Sequence, residues 1–249
     1  MGDRNIAIYH CAVRMLTRSK GHSVIAVAAH NAAERLTDRR TGRVYDFAYK
    51  RPHVVHAEIL LPEGAAAFMR ERATLWQVVE QIEDRHSRSR DAQIARDVNL
   101  ALPRELSRAA NIVLARSFLL AEFVALGMVC DFAIHEQVSA TDGLVLPHVH
   151  ALAALREVTP EGFGRKVRAW GSRALFNAWR EHWAAYVNAA LVWAGVAERV
   201  SHLSLKAQGI EREPQRYLRR AEWERERREG AARRGACWRE IKERQGSSS

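Results

Sequence analysis

Two apolar runs near the middle of the chain constrain its fold more than any other feature. Residues 128–135 (MVCDFAIH) and 144–155 (LVLPHVHALAAL) each have the composition of a buried strand, and a polar segment separates them. Strands joined by so short a segment pair antiparallel, because a parallel pair needs a crossover of about a dozen residues or more. The sequence therefore predicts an antiparallel β-hairpin at this point.

The rest of the chain alternates between strand and helix patterns. Further strands are predicted at residues 5–14, in HVVHAEILLPE up to Pro62, and at residues 93–102. Helices are predicted at residues 24–36, 65–85 and 107–126, and from about residue 175 to 194. This order predicts an α+β domain with a mainly antiparallel sheet and helices outside it.

Three connecting segments are predicted from turn chemistry. Residues 17–23 (TRSKGHS) form a polar loop in which Ser23 caps the following helix. A turn is expected at Thr41-Gly42, between two short extended pieces, and a loop around Gly162 and Gly164.

Charge and composition restrict the partner and the location. Lys and Arg number 39 against 29 Asp and Glu, a net charge of +10, which favours an anionic partner, nucleic acid before a membrane surface. No apolar run approaches the roughly 18 to 20 residues that span a bilayer, and the N-terminus lacks a secretory h-region. Three cysteines without a CxxC spacing indicate neither a disulfide framework nor a thiolate zinc site. We therefore expect a cytoplasmic protein.

Half of the surplus charge lies at the C-terminal end of the chain. Residues 212–249 contain twelve Lys or Arg against seven Asp or Glu, a net of +5. Both signs alternate at helical spacings with few aliphatic residues, which is typical of an exposed helix or a partly disordered tail. This tail either contacts phosphates nonspecifically or is a solvated, salt-bridged helix. We expect one main domain at 1–211, followed by the tail.

Histidines in the predicted hairpin form a candidate metal site. His148 and His150 are two residues apart on one strand, so their imidazoles share a face of the sheet, and His135 ends the preceding strand. Three neutral imidazoles on one face can hold a divalent metal and leave coordination positions open. The alternative is that they are polar strand residues without a metal.

Several stretches, in order along the chain, resemble plasmid mobilization relaxases of the MobA/MobL (MobQ-type) family, within the HUH endonuclease superfamily. They are AIYHCAVRMLTRSKGHSVIAVAAHNAAERL, IARDVNLALPREL, FVALGMVCDFAIH, PHVHALAALR, WREHWAAYVNAALVWAG and SLKAQGIEREP. The resemblance implies the HUH relaxase fold, a central, mainly antiparallel five-stranded sheet flanked by helices, with the nicking domain at 1–211. It also implies a nickase that opens one strand at a plasmid origin of transfer and stays covalently attached to the 5′ end during conjugation.

The resemblance also assigns the histidines a role. His148-Val149-His150 matches the histidine, hydrophobic residue, histidine pattern of the family, and its third metal histidine falls on His135. An acidic position of the family falls on Asp97, where Glu is usual, so the resemblance implies that Asp97 is a catalytic residue. The implied cofactor is Mg²⁺ or Mn²⁺, which would polarise the scissile phosphate, and histidine ligands favour Mn²⁺.

One position departs from the family pattern. The helix after the Arg-Ser-x-Gly loop carries a nucleophilic tyrosine in family members, whereas this chain has His30 in VAAHN. A neutral imidazole, with a reference pKa near 6.5, is a nucleophile at about pH 7 and would form a phosphoramidate. We therefore predict His30 as the nucleophile. Three alternatives stay open: a relaxase that uses another group as nucleophile, a nucleophile-degenerate homologue that binds origin DNA without cleaving it, and a structural or regulatory DNA-associated protein.

The expected partner is single-stranded origin-of-transfer DNA, with accessory relaxosome proteins and a type IV coupling protein as further partners. Phosphate contacts are predicted for basic residues near the two loops, namely Arg14, Arg18, Lys20, His22, Arg165, Lys166 and Arg168. Trp170, next to Gly171, is a candidate for base stacking. Trp179, Trp183 and Trp193 have helical spacing and are predicted to lie in the core.

Overall fold

The fold is taken from a computed structural model that describes residues 9–85, 89–138 and 143–211. The chain divides into two compact units, residues 1–202 and 203–249. In the second unit the described part, residues 203–211, consists mainly of turns. The predicted tail at 212–249 lies outside the described residues.

The first unit contains nine strands and four α-helices among its described residues. The strands are β1 (Cys11–Thr17), β2 (Arg35–Thr37), β3 (Val44–Asp46), β4 (Val54–Leu60), β5 (Gln93–Ala101), β6 (Cys130–Val138), β7 (Val145–Ala154), β8 (Arg156–Thr159) and β9 (Gly162–Lys166). The α-helices are α1 (Val24–Ala32), α2 (Arg72–Asp84), α3 (Arg108–Glu122) and α4 (Arg173–Trp193).

A five-stranded sheet forms the centre of this unit. Its order is β1-β5-β7-β6-β4, and every neighbouring pair is antiparallel. The predicted hairpin is confirmed as β6 and β7, and the predicted α+β class with a central five-stranded antiparallel sheet is confirmed as well. Two smaller two-stranded sheets, β2-β3 and β8-β9, are separate from the central sheet.

Helices cover both faces of the sheet, each over its own apolar cluster. On one face, Phe132 and Val149 pack in a cluster that includes Phe118 of α3 and Trp179 of α4. On the other face, Leu152 belongs to a cluster built with residues of α1 and α2. The three predicted metal histidines belong to the second face, because directly paired residues of antiparallel strands point to the same side.

The helix that carries His30 is shorter than predicted. Ser23 caps α1 as expected, and its side-chain oxygen accepts a hydrogen bond from the Ala26 amide. The predicted end at residue 36 is wrong, because Ala33 adopts a left-handed conformation with φ of 53° and ends the helix. Residues 35–37 then form β2, which pairs with β3 across the predicted Thr41-Gly42 turn.

Three other local predictions need correction. The segment around Gly162 and Gly164 is not a loop but strand β9, paired with β8. After a short 3-10 helix (Arg168–Gly171), one α-helix, α4, stands where more than one helix was predicted from about residue 175 to 194. Strand β1 begins at Cys11 and continues to Thr17, past the predicted end at residue 14, while residues 5–8 of the prediction lie outside the described residues. Alternation alone did not fix these bounds, because pairing with β5 and β8 decides where the strands run.

Two tryptophan predictions are also wrong. Trp170 belongs to the buried cluster under α3 and α4 and is only 7% exposed, so it presents no face for base stacking. Trp193, predicted in the core, is 92% exposed at the end of α4. Trp179 and Trp183 are fully buried, as predicted.

One segment meets the length and composition of a membrane span, contrary to the sequence-based expectation. It is Arg108–Leu126, which comprises α3 and the turn after it. Phe118 and Leu119 of this segment are fully buried in the core, and Arg116 forms an ion pair with Glu58 of β4. These contacts are those of an amphipathic helix packed on its own domain.

Candidate metal and nucleophile site

The pairing of β6 with β7 brings the three predicted metal histidines together. His135 stands directly opposite His148, and His150 lies two residues further along β7, opposite Ala133. The ring centroids are 5.5 Å apart for His135 and His148, 4.7 Å for His135 and His150, and 4.8 Å for His148 and His150. One potential ligand nitrogen from each ring lies within 4.8 Å of the others. We call these three residues the histidine cluster.

Backbone carbonyls fix the orientation of two of the rings. The Nδ1–H of His148 donates to the carbonyl oxygen of Leu146 at 2.9 Å, which leaves Nε2 with its lone pair. The Nε2–H of His135 donates to the carbonyl oxygen of Asn31 at 2.7 Å, which leaves Nδ1 with its lone pair. Such hydrogen bonds to the second ring nitrogen are the usual outer contacts of metal-binding histidines.

Burial keeps all three rings neutral. It lowers the pKa of His135 to about 4 and that of His150 to about 2, and it lowers the pKa of His148 as well. Mutual repulsion of the rings adds to the effect for His150. Three neutral imidazoles with lone pairs at the centre fit a divalent cation, because the metal ligand is the unprotonated nitrogen. The cluster can therefore hold a metal.

His30 lies beside this cluster, near the C-terminal end of α1. Its ring centroid is 5.9 Å from that of His135 and 5.7 Å from that of His150. The next residue, Asn31, supplies the carbonyl that holds His135. The predicted nucleophile is thus tied to the predicted metal ligands through one hydrogen bond of the backbone.

Two residues from the segment after β3 complete the surroundings of His30. The ring of Phe47 meets the imidazole edge-on at a centroid distance of 5.3 Å. The Nζ of Lys50 lies 2.6 Å from Nε2 of His30. Burial, followed by the positive charge of Lys50, lowers the pKa of His30, so the imidazole is neutral at pH 7 and retains a nucleophilic lone pair.

Buried ion pairs hold the end of α1 in place. Asp131 of β6 accepts a bidentate pair of hydrogen bonds from Arg72, and it also accepts one from the indole N–H of Trp76 at 2.8 Å. The second arm of Arg72 bonds the carboxylate of Glu34, just after α1. The backbone of Glu34 in turn accepts a hydrogen bond from the Phe47 amide at 3.1 Å.

Asp97 lies on the same face as the histidine cluster but outside it. On β5, Asp97 is opposite Leu152, while Asn99 is opposite His150. Asp97 is therefore displaced by two residues along the strand from the position next to His150. Burial raises the pKa of Asp97, while the charge of Arg14, opposite it on β1, acts in the other direction. The three histidines converge without Asp97.

The predicted phosphate contacts fall into two groups. Arg14, Lys20, Arg165 and Arg168 are exposed. Arg18, in contrast, forms ion pairs with Glu80 and Asp84. Lys166 bonds Glu83 at 2.8 Å and the carbonyl of Gln93 at 2.6 Å. These two residues hold α2 to its neighbours, so their charges are already paired within the protein. His22 accepts a hydrogen bond from the Thr17 amide through Nδ1.

Sequence reasoning missed Lys50 and the backbone role of Asn31. Lys50 is one of 39 Lys and Arg residues in the chain, and only the tertiary fold brings it to a residue 20 positions earlier. The mistaken extension of α1 to residue 36 also hid the turn that brings this segment back to the helix end. A carbonyl contact such as that of Asn31 leaves no sequence signal, because every residue has one.

The comparisons with known proteins agree on one family. The family model described as "MobA/MobL family" matches residues 22–228. The chain is 32% identical over 244 residues to "Probable conjugal transfer protein TraA" of Sinorhizobium fredii, covering 86% of this chain and 21% of that protein. It is 32% identical over 242 residues to "Mobilization protein MobL" of Acidithiobacillus ferridurans, covering 86% of this chain and 62% of that protein. The chain thus spans about a fifth of its TraA relative.

A solved structure is similar to the fold as well. It is described as "Molecular Basis of Vancomycin Resistance Transfer in Staphylococcus aureus", with a TM-score of 0.67 and 31% sequence identity. The match covers 80% of this chain and 100% of the solved one.

Proposed function

The chain belongs to the MobA/MobL family, and from this premise we propose that it is a relaxase for conjugative mobilization. It nicks one strand of DNA at a plasmid origin of transfer and remains joined to the 5′ phosphate. The observation that carries the proposal is the neutral imidazole of His30 beside the histidine cluster, 5.7 Å from the ring of His150. A nucleophile next to a metal site is one arrangement that catalyses phosphodiester transesterification.

In the proposed reaction a ring nitrogen of His30 attacks phosphorus. The lone pair of this nitrogen forms the P–N bond. The P–O3′ bond breaks, the electron pair of that bond goes to O3′, and O3′ takes a proton from solvent. The ring loses its remaining N–H proton to solvent, and the product is a phosphoramidate. His30 needs no base to deprotonate it first, because burial and Lys50 already lower its pKa.

The histidine cluster is the proposed site of a divalent metal, Mn²⁺ or Mg²⁺. Nε2 of His148 and Nδ1 of His135 are the ligand atoms left by their hydrogen bonds to backbone carbonyls. A bound cation would polarise a non-bridging oxygen of the scissile phosphate. We favour Mn²⁺, because imidazole ligands suit it better than they suit Mg²⁺.

Asp97 is proposed to tune the charge of the site. Its half-buried carboxyl group lies on the same sheet face as the cluster, and desolvation raises its pKa. A cation in the cluster favours the ionised carboxylate, since an opposite charge nearby lowers a carboxyl pKa. The negative charge of the ionised Asp97 carboxylate would in turn attract the cation and help to retain it in the cluster.

DNA contacts are proposed for the exposed basic residues. Arg14 and Lys20 lie on β1 and in the segment after it, and Arg165 and Arg168 lie on β9 and just after it. Such side chains bind phosphates without reading sequence. We further propose a domain of residues 1–211 and a basic DNA-contacting tail. The cytoplasm, where plasmid DNA resides, is the proposed location, with relaxosome and coupling proteins as partners.

An adduct assay tests the proposal. The protein is incubated with Mn²⁺ and 3′-labelled single-stranded oligonucleotides that tile the DNA flanking its gene, and adducts are separated on a denaturing gel. We expect a labelled, acid-labile adduct, because phosphoramidates hydrolyse in acid, and its loss in His30→Ala. An acid-stable adduct, or one that persists in His30→Ala, would exclude His30 as the nucleophile. DNA binding without an adduct would instead support the nucleophile-degenerate alternative.

A further inference from the structure

The short 3-10 helix Ala48–His53 brings a cation to the reacting atom of the proposed nucleophile. The Nζ of Lys50, in this helix, lies 2.6 Å from Nε2 of His30. The same Nζ lies 5.8 Å from the centroid of the Phe47 ring, which also contacts the imidazole. The ammonium group therefore lies near both rings, and it donates to the lone pair of Nε2, the nitrogen that the proposed chemistry uses.

The position of Lys50 is built into the fold. The amide of Lys50 donates to the carbonyl of Phe47 at 2.8 Å, and the amide of Phe47 donates to the carbonyl of Glu34 at 3.1 Å. Glu34 is held in turn by Arg72 and, through it, by Asp131. The segment with Lys50 and the helix end with His30 are thus fixed to the same buried ion-pair network.

We propose that Lys50 is a catalytic residue that holds Nε2 of His30 before DNA binds and then donates to a non-bridging oxygen of the scissile phosphate. This inference rests on the proposed function. An ammonium group has three N–H donors, so it can leave the imidazole and follow the negative charge of the phosphate. The lone pair of Nε2 is then released at the moment when phosphorus is next to it.

The geometry of in-line displacement decides which phosphate oxygen Lys50 can reach. The attacking nitrogen and the departing O3′ lie on opposite sides of phosphorus, and the non-bridging oxygens lie between them. Because Lys50 contacts the attacking atom, it lies on the side away from O3′. Its chemical role is therefore to stabilise charge on the non-bridging oxygens rather than to protonate the leaving group.

Single-turnover kinetics test this role. The rate of adduct formation is measured with the tiling oligonucleotide that reacts, for wild type, Lys50→Ala, Lys50→Arg and the control Arg51→Ala, which removes an exposed charge from the same helix. We expect Lys50→Ala to slow the step by roughly 100-fold, as for loss of one donor to a transition-state oxyanion. Its DNA affinity should fall only a few-fold, and Lys50→Arg should recover part of the rate. Arg51→Ala should weaken binding slightly and leave the step unchanged.

Two results would overturn the inference. One is a Lys50→Ala rate within about threefold of wild type. The other is an equal loss of rate and affinity in Lys50→Ala and Lys50→Arg, which would indicate a structural role. An absence of adduct in wild type would reject the proposed function, and the phosphate role of Lys50 with it.

A second measurement does not depend on cleavage. Diethyl pyrocarbonate modifies neutral imidazoles at the free lone pair, so a donor on Nε2 should protect His30. We expect Lys50→Ala to raise the rate of His30 modification several-fold and Arg51→Ala to leave it at the wild-type rate. Mass spectrometry of the peptide that contains His30 measures this rate. Equal rates in all three proteins would show that Lys50 does not hold the nitrogen.

Discussion

His148 on β7 lies directly opposite His135 on β6, and one ring nitrogen of each residue donates a hydrogen bond to a backbone carbonyl. The remaining nitrogens face each other and His150. The first test concerns metal binding alone. Mn²⁺ at about 100 times its dissociation constant should raise the free energy of unfolding by roughly 2.7 kcal/mol, and His148→Ala should abolish this gain. Thermal unfolding with and without Mn²⁺ measures it.

The control for the metal test is His30→Ala, which removes a ring near the cluster but none of its three members. This variant should keep most of the Mn²⁺ stabilisation. Equal stabilisation of wild type and His148→Ala would contradict the proposed metal site.

The second test is the pH dependence of stability without metal. The pKa of His135 is about 4 in the folded protein and near 6.5 when unfolded. Between these values the unfolded chain binds more protons, so stability rises with pH through this window and is lost as pH falls. His150, with a pKa of about 2, extends the loss to lower pH.

Urea unfolding in EDTA at a series of pH values measures this dependence. His150→Gln should flatten the slope between about pH 6.5 and 4, since one protonation difference is removed. An unchanged urea m-value would show that the variant exposes the same surface on unfolding. A variant with the full wild-type slope would contradict the neutral state of His150 in the folded protein.

The third test concerns the ion pairs that hold the end of α1. Asp131→Ala leaves the Arg72 guanidinium buried with only part of its partners, and we expect a loss of about 3–5 kcal/mol in unfolding free energy. The double variant Arg72→Met with Asp131→Leu should lose less than the single one, because no charge is left unpaired. Urea unfolding measures both.

Arg35→Met serves as the matched control for that network. Arg35 is exposed, and its ion pair with Asp46 spans 3.9 Å, so its removal should change stability by less than about 1 kcal/mol. If Asp131→Ala proved as mild as Arg35→Met, the network would not be what fixes the helix end.

The fourth test compares two tryptophans. Trp170→Ala should lower the unfolding free energy by about 3–5 kcal/mol, because it empties a buried site. Trp193→Ala removes a side chain that is 92% exposed and should stay within about 0.5 kcal/mol of wild type. Far-UV circular dichroism follows both without depending on tryptophan fluorescence. A stable Trp170→Ala with impaired DNA binding would restore the base-stacking hypothesis.

The fifth test separates exposed from paired cations. Arg14→Ala should reduce the salt dependence of single-strand binding. The slope of log K against log salt should decrease in magnitude by about 1, the contribution of one phosphate contact. Lys166→Ala should leave that slope unchanged and lower stability instead, because Lys166 is bonded to Glu83 and Gln93. Fluorescence anisotropy at several salt concentrations measures the slopes. A smaller slope in Lys166→Ala alone would reverse the assignment.

The sequence predicted what depends on local alternation, and it failed where distant contacts decide. The shared face of His148 and His150 follows from the two-residue period of a strand, and the hairpin follows from two apolar runs with a short polar connection. The end of α1 was misplaced because the helical pattern of VAAHNAAERL extends to Leu36, while tertiary contacts with the segment after β3 end the helix at Ala33. Lys50 could not be found for the same reason, since its significance arises only from the residue it meets.

The tether between α1 and the histidine cluster has an evolutionary consequence. His135 is held by the main-chain oxygen of Asn31, not by any side chain of the helix. The position of the helix relative to His135 therefore does not depend, through this contact, on which side chain stands at position 30. Under the proposed function, the nucleophilic side chain at position 30 can therefore change in evolution without loss of this main-chain contact.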